Sequence, residues 1–305
     1  MITLKHFLRH GFVESFKNLV NCLKAYGRIL GFNKGVTTKI HPPLGYTQVF
    51  YDGFTSKLNR NNWRYGQPWG DFHPGSLHQY YDTDGTLSYV SPSGLILELR
   101  KIPKSYKKSE IPEWRKSPSM PEEFTIPVGV GFVSSKDSWR YGWFEALIKL
   151  PNGQSYWPAF WLTGENGWPP EIDILEAYSE IGPSYEGKLL FNKFFKKKDV
   201  KIQPNLHYGK IELNNKKDYG SYNAPVHLCT ERVVQYVCHW ESDFIKIYYD
   251  GILVMETRNQ EVLKWFNEKY NRMYVCLNHG LHQDHTENPK ESCMIVRSFR
   301  VWQKT

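Results

Sequence analysis

The sequence predicts an all-β protein, either an antiparallel sandwich or a barrel, with a short helical segment before it. After residue 40, short runs rich in β-branched and aromatic residues alternate with clusters of Gly, Pro, Asn and Asp, as in strands separated by turns. Asp250-Gly251 lies between two such runs and is typical of a tight hairpin. Only residues 262–269 of this region have a helical pattern, which favours antiparallel pairing of the strands.

Seven runs carry the strongest strand pattern: residues 95–99, 143–150, 233–240, 244–249, 252–257, 273–277 and 294–302. Because 40% of the 305 residues are apolar, the chain can build a substantial core without metals or disulfides. Aromatic residues make up 16% of the chain, including 11 Trp and 20 Tyr. Their flat apolar faces suit sugar rings, although a sandwich core also takes up many of them.

Residues 1–40 are predicted to be a basic amphipathic extension, and residues 41–305 one β-sandwich domain. Apolar residues recur at spacings of three and four, as on one face of a helix: Leu4, Phe7, Leu8, Phe12, Phe16, Leu19, Leu23 and Tyr26. The extension has seven Lys and Arg residues against one Glu. Two interpretations stay open: residues 1–30 lie on an anionic membrane surface, or the helix packs on the domain that follows or on a partner.

The first residues do not resemble a cleavable secretion signal or a transmembrane span, because charges interrupt every apolar stretch. Five cysteines with no close pairing indicate buried thiols rather than a disulfide framework. We therefore expect a cytoplasmic or membrane-surface-associated protein.

The charge distribution argues against nucleic acid as a partner. The net charge is +8, but the extension contributes +6, and the remaining residues carry 32 basic and 30 acidic side chains. Nucleic-acid binding requires a basic stripe on the folded domain. The basic run 196–198 is interpreted as a solvated loop, with contact to an anionic substrate as the alternative.

Three carboxylates, Glu171, Asp173 and Glu176, lie within six residues, interleaved with apolar side chains. On a regular strand Glu171 and Asp173 share one face while Ile172 and Ile174 point into the core, and Glu176 has the wrong parity. A β-bulge at residues 174–175 would return Glu176 to the acidic face.

Such a cluster suits glycoside hydrolysis with retention of configuration, which needs a carboxylate nucleophile and a carboxylic acid about 5–5.5 Å apart. The charged neighbour keeps the acid protonated near neutral pH. The alternatives are an exposed acidic strand face and a Ca²⁺ site with carboxylate ligands.

The flanking segments resemble glycoside hydrolase family 16. The similarity rests on residues 141–151, on Trp157-Pro158-Ala159 with the residues that follow it, and on residues 170–178, with further matches at 50–54, 248–251 and 300–303. The two residues between Asp173 and Glu176 resemble the bulged branch, which holds laminarinases and algal galactanases. The resemblance implies a jelly-roll sandwich of the concanavalin A type, with a polysaccharide cleft on its concave sheet.

By position, the resemblance implies Glu171 as nucleophile, Asp173 as its assistant and Glu176 as acid/base. Trp157 and Trp161 share a face by alternation and form a predicted sugar platform, with Trp168 as a third candidate; each has core packing as its alternative. His207 falls where members often carry a cleft His or aromatic residue, and the alternative is a satisfied loop histidine.

The sequence departs from the family pattern at Leu147, where Arg is usual, and at Pro170, where Gly or Ser is usual. Arg297 stands where many members have an Asp ligand of a structural Ca²⁺ ion, and its guanidinium would oppose a cation there, so we expect no metal. The expected reaction needs no organic cofactor either. Asp82-Thr83-Asp84-Gly85 is only a partial Ca²⁺-loop pattern and is interpreted as a turn.

The expected function is endo-hydrolysis of a β-linked polysaccharide by a monomer, with β-1,3-glucan ahead of β-galactan as substrate. A transglycosylase that uses the same residues is one alternative. A non-catalytic glycan-binding protein is the other, although such a protein has no need of three intact carboxylates.

Overall fold

The computed structural model describes residues 39–305 except 71, 73–76, 114–115, 154, 179–200, 211–216, 221–228, 269–270 and 283–288. Before residue 39 it describes only residues 13, 16, 17 and 20, all four of them helical, so the rest of the predicted extension lies outside the described residues. Within the described part of the chain, no helix has the length and apolar character needed to span a bilayer.

The described strands, numbered in chain order, cover most of the domain. They are β1 (Tyr46–Asp52), β2 (Trp63–Tyr65), β3 (Tyr80–Tyr81), β4 (Ser88–Ser91), β5 (Gly94–Arg100), β6 (Lys104–Lys107), β7 (Glu123–Ile126), β8 (Gly129–Val130), β9 (Phe132–Trp139), β10 (Gly142–Lys149), β11 (Ala159–Gly164), β12 (Glu171–Tyr178), β13 (Lys201–Tyr208), β14 (Lys217–Gly220), β15 (Val234–Glu241), β16 (Phe244–Tyr249), β17 (Ile252–Thr257), β18 (Met273–Asn278) and β19 (Ser292–Lys304). A 3-10 helix covers Lys108–Glu110, and the helix α1 covers Gln260–Leu263.

Two large sheets pack face to face. The outer sheet has the order β17-β16-β15-β10-β19-β5-β8-β3, with β1 paired to β19 and β4 to β5, and the cleft sheet has the order β14-β13-β12-β11-β18-β9-β2. One continuous core joins them, containing Phe160, Leu162, Ile172 and Ile174 from the cleft sheet and Phe144, Ile148, Tyr236 and Phe299 from the outer sheet. The predicted all-β sandwich is confirmed.

The hairpin predicted at Asp250-Gly251 joins β16 to β17. Both residues have positive φ angles, 46° and 77°, as a type I′ turn requires. The Asp250 carboxylate accepts a hydrogen bond from the Gln235 backbone N–H at 2.8 Å and pairs with the Arg232 guanidinium at 2.6 Å. These contacts hold the hairpin against the neighbouring strand β15.

The helix predicted at residues 262–269 is shorter and begins earlier, at Gln260. Asn259 caps it, because its side chain accepts a hydrogen bond from the Glu261 backbone N–H. The prediction followed the apolar pattern of Val262 and Leu263, which are buried, and overlooked the cap that precedes them.

The strand β12 contains the predicted bulge. Against β11, Phe160 pairs with Leu175 and Trp161 pairs with Asp173, which leaves Ile174 without a register partner in that strand. The extra residue reverses the parity of everything that follows it. The bulge at residues 174–175 is therefore confirmed.

The other neighbour, β13, accommodates the same bulge. Asn205 pairs with Asp173 and Gln203 pairs with Glu176, so Pro204 alone faces the two bulged residues. Proline has no N–H to donate to a ladder, and within sheets it is largely confined to edges and bulges. Pro204 therefore fits the place where the ladder is interrupted.

The predicted buried thiols are present among the described cysteines. Cys229, Cys238 and Cys276 are buried, Cys293 is partly buried, and all four are free thiols. Burial raises the pKa of the Cys238 and Cys276 thiols, so both stay protonated at neutral pH. Cys22 lies outside the described residues.

Candidate active site

A cleft of about 720 Å³ lies on the face of the cleft sheet that points away from the core. All the residues singled out from the sequence line it: Glu171, Asp173, Glu176, Trp157, Trp161, Trp168 and His207. They come from β11, β12 and β13 and from the segments that precede β11 and β12. The structure thus brings the complete predicted set together.

The bulge places Glu176 in the same cleft as Glu171 and Asp173. Asp173 and Glu176 are largely buried, 3% and 8% exposed, while Glu171 is more open. Ile172 and Ile174 are fully buried on the opposite face of the strand. Without the extra residue Glu176 would point into this core, where an ionised carboxylate is very costly.

His207 lies directly across from Glu171 in the register of β12 and β13. Its Nε2 atom is 3.0 Å from Asp173 Oδ2 and 3.3 Å from Glu171 Oε1. A protonated imidazole here offsets the repulsion between the two carboxylates. The loop-histidine alternative is wrong, because His207 lies within a strand and contacts the acidic cluster.

Indole N–H groups hydrogen-bond two of the three carboxylates. Trp168 Nε1 donates to Glu171 Oε2 at 3.0 Å, and Trp157 Nε1 donates to Glu176 Oε1 at 3.1 Å. Hydrogen bonds to an ionised acceptor are stronger than neutral ones and restrict the carboxylate's orientation. Both tryptophans therefore orient carboxylates in addition to forming walls of the cleft.

Trp161 has a different polar partner. Its Nε1 atom donates to Asn278 Oδ1 at 2.7 Å, and one edge of its ring contacts Phe132. Asn278 in turn donates to the His279 carbonyl at 3.0 Å. Core packing and cleft lining, stated above as alternatives, both apply to this partly buried residue.

Sequence reasoning missed seven polar or aromatic residues of the cleft, among them all five amide side chains. These additional lining residues are Gln67, Trp69, Gln79, Tyr81, Gln203, Asn205 and Asn278. One signal was available, because Gln203, Asn205 and His207 alternate along β13 and so share a face. The others reach the cleft through β18 and through residues 67–81, where no spacing rule links them to the carboxylates.

Among the described residues, Glu171, Asp173 and His207 form the group that could hold a metal ion, since one ligand atom from each lies within 4.8 Å of the others. A divalent cation there would engage the groups that the predicted chemistry requires, and the absence of a metal stays a prediction.

The turn interpretation at Asp82 agrees with the structure. Its carboxylate accepts hydrogen bonds from the backbone N–H groups of Asp84, Gly85 and Leu87.

Comparison with known proteins places this site in a family. The sequence profile described as Glycosyl hydrolases family 16 matches residues 83–294, which include every strand from β4 to β18. The chain belongs to this family, and the expected resemblance is confirmed.

Curated relatives match over short segments. Endo-1,3-1,4-beta-glycanase EglC of Rhizobium meliloti is 46% identical over 41 residues, 13% of this chain and 9% of the relative. Glucan endo-1,3-beta-glucosidase A1 of Niallia circulans is 27% identical over 146 residues, 45% of this chain and 18% of the relative. The chain thus spans less than a fifth of the length of these two relatives.

A solved structure establishes the fold over most of the chain. LamAcat from Zobellia galactanivorans superposes with a TM-score of 0.64 at 20% identity, covering 86% of this chain and all of that one. The jelly-roll sandwich expected from the family is confirmed.

His279 lies behind the cleft, between the lining residues Asn278 and Gly280, and is fully buried. Its Nδ1 atom lies 2.7 Å from the Gly280 backbone nitrogen and 3.2 Å from the Gly280 carbonyl oxygen, and its Nε2 atom lies 2.8 Å from Ser292 Oγ. Burial lowers the pKa of His279 to about 3.

We predict that His279 makes the fold acid-sensitive. Because its folded pKa lies below the usual 6.5, its contribution is complete above about pH 6.5 and is lost as the pH falls towards 3. The free energy of unfolding should fall by up to about 1.4 kcal/mol per pH unit from this group alone. The free energy of unfolding, measured with denaturant at several pH values, should change less steeply with pH in His279→Gln than in the wild type. An equal pH dependence in both proteins, or the same reduction in the exposed control His41→Gln, contradicts the assignment.

Proposed function

We propose that this protein is a retaining endo-glycosidase that hydrolyses internal β-linkages of a polysaccharide. The observation that carries the proposal is the bulge in β12, which directs Glu171, Asp173 and Glu176 into one cleft walled by tryptophans. Family membership supports the same reaction class.

In the proposed mechanism, Glu171 attacks the anomeric carbon while Glu176 protonates the departing glycosidic oxygen. The resulting glycosyl-enzyme is hydrolysed by water, which Glu176 deprotonates in the second step. Glu171 must be ionised and Glu176 protonated before the first step, and burial of Glu176 beside other carboxylates favours its neutral form.

The neighbouring side chains orient these groups. Trp168 holds one oxygen of Glu171 and His207 lies 3.3 Å from the other, which leaves the nucleophile little freedom to rotate. Asp173 Oδ2 lies 3.0 Å from the same His207 nitrogen, so the imidazole contacts both carboxylates. Trp157 holds Glu176 from the opposite wall. Restricted orientation of this kind lowers the entropic part of the barrier.

The lining of the cleft favours a neutral glycan. Within the described residues the lining contains Gln and Asn side chains and four Trp, but no Lys or Arg. Sulfated chains would meet three carboxylates there without a compensating guanidinium or ammonium. Of the two relatives named above, one is named an endo-1,3-1,4-beta-glycanase and the other a glucan endo-1,3-beta-glucosidase. We therefore propose β-1,3-glucan as the substrate.

A polysaccharide panel tests the substrate class. We predict that purified protein releases reducing ends from laminarin and mixed-linkage β-glucan at least about tenfold faster than from porphyran or carrageenan, because the cleft lacks cations to pair with sulfate. Agarose serves as the neutral galactan. A preference for the sulfated chains contradicts the neutral-glycan proposal, and longer products in the presence of acceptor sugars indicate the transglycosylase instead.

Azide distinguishes the roles of the two glutamates. With an activated aryl β-glycoside, Glu176→Ala should regain turnover in azide and yield a β-glycosyl azide, because azide replaces water at the glycosyl-enzyme and needs no base. Glu171→Ala should yield the α-azide, since azide then enters from the vacated nucleophile side. The exposed Glu261→Gln is the control and should behave as the wild type. Unchanged laminarin hydrolysis in Glu171→Gln would contradict the role of Glu171 as nucleophile, whereas laminarin binding without hydrolysis by the wild type would indicate the glycan-binding alternative.

The indole hydrogen bonds predict a second mutational effect. Trp168→Phe and Trp157→Phe keep an aromatic wall but remove the donor to Glu171 or Glu176, so kcat should fall about tenfold or more while KM changes less. Trp265→Phe, which alters a partly buried tryptophan outside the cleft, controls for general packing loss. Losses that appear only in KM would mean that the two tryptophans act as sugar platforms alone.

A further inference from the structure

A buried tyrosine of the outer sheet contacts the backbone of the bulge. Tyr249, the last residue of β16, is 1% exposed, and its hydroxyl donates to the Ile174 carbonyl at 2.8 Å. The two residues are 75 positions apart and belong to opposite sheets. The hydrogen bond therefore crosses the core of the sandwich and ends at the residue that reverses the parity of β12.

Ile174 is the place in β12 where such support is most needed. It has no register partner among the described residues of β11, and the residue opposite it in β13 is Pro204, which has no N–H to donate. A buried carbonyl that loses its hydrogen-bond partner is costly, so the Tyr249 hydroxyl stabilises the bulged conformation over a regular strand.

Tyr249 is itself held firmly. The hairpin that follows it is fixed by Asp250, which pairs with Arg232 and accepts the Gln235 N–H. Its ring packs edge-to-face on Tyr236 at 5.1 Å. The donor thus belongs to a rigid part of the outer sheet, and the bulge is anchored to that sheet rather than only to its own neighbours.

We propose that Tyr249 is a positioning residue for the reaction proposed above: through the Ile174 carbonyl it sets where Glu176 stands relative to Glu171. Along β12, Glu171 precedes the bulge and Glu176 follows it. A shift of residues 174–175 therefore moves Glu176, while Glu171 stays with the regular half of the strand. The inference rests on that proposed function and adds a residue remote from the cleft to its machinery.

The structure supplies a matched control for the hydroxyl. Tyr236 is as fully buried as Tyr249 and packs against it, yet among the described residues its hydroxyl has no hydrogen-bond partner. Tyr236→Phe therefore removes a hydroxyl from the same part of the core without removing a hydrogen bond to the bulge. Loss of the Tyr236 hydroxyl should leave the positions of Glu171 and Glu176 unchanged.

The experiment compares Tyr249→Phe with Tyr236→Phe. For laminarin we expect kcat of Tyr249→Phe to fall about 10- to 100-fold with little change in KM, because misplacing a catalytic group by about 1 Å has effects of this size. For 2,4-dinitrophenyl β-laminaribioside the rate constant of the pre-steady-state burst should stay within about threefold of the wild-type value, since this leaving group departs without protonation. Tyr236→Phe should match the wild type with both substrates.

Three outcomes overturn the inference: Tyr249→Phe retains the wild-type kcat, both substrates lose rate equally, or Tyr236→Phe shows the same defect. Amide exchange of the peptide spanning residues 171–178 provides a readout that needs no activity. We expect faster exchange there in Tyr249→Phe than in Tyr236→Phe, and equal exchange overturns the anchoring of the bulge. If the wild type cleaves no glycan while the exchange difference is present, the proposed function fails and the anchor stands.

Discussion

The site depends on one interruption of the hydrogen-bond ladder in β12. A regular strand would turn Glu176 into a core that already contains Ile172 and Ile174, and the fold would then have to bury an ionised group. The single extra residue removes that conflict. Pro204, which has no N–H to donate, lies opposite the bulge on the neighbouring strand β13. The placement of the three carboxylates proposed for catalysis is thus a consequence of backbone register.

Placing three carboxylates on one face of a strand creates repulsion that the surroundings must offset. The structure does this with groups that also orient the acids: His207 beside Glu171 and Asp173, and indole donors on Glu171 and Glu176. The rest of the described lining is neutral amide and aromatic surface. The charge of the described lining is therefore concentrated at the centre proposed for the reaction, and the remaining lining offers amide groups to the hydroxyl groups of a glycan.

Much of this could be predicted from the sequence, because the relevant signals are local. In a regular strand Glu176 would face away from Glu171 and Asp173, and this break in the alternation is enough to locate the bulge. Asp250-Gly251 in the same way locates the hairpin. Contacts between distant segments left no such signal: the Trp168 and Trp157 hydrogen bonds, Asn278 behind Trp161 and the Tyr249 hydroxyl under Ile174 all depend on the packing of separate strands. The helix at residue 260 was misplaced because a cap outweighed the apolar pattern. The monomeric state, the localisation and the role of residues 1–40 stay predictions.

The stereochemistry of the first product tests the central claim most directly. Proton NMR during the initial seconds of laminarin hydrolysis reports the anomeric configuration of the newly formed reducing end before mutarotation. If the bulge sets Glu171 and Glu176 close enough for direct attack on the anomeric carbon, the first signal is the β-anomer. Initial formation of the α-anomer would mean that a water molecule fits between the carboxylates and would contradict this account.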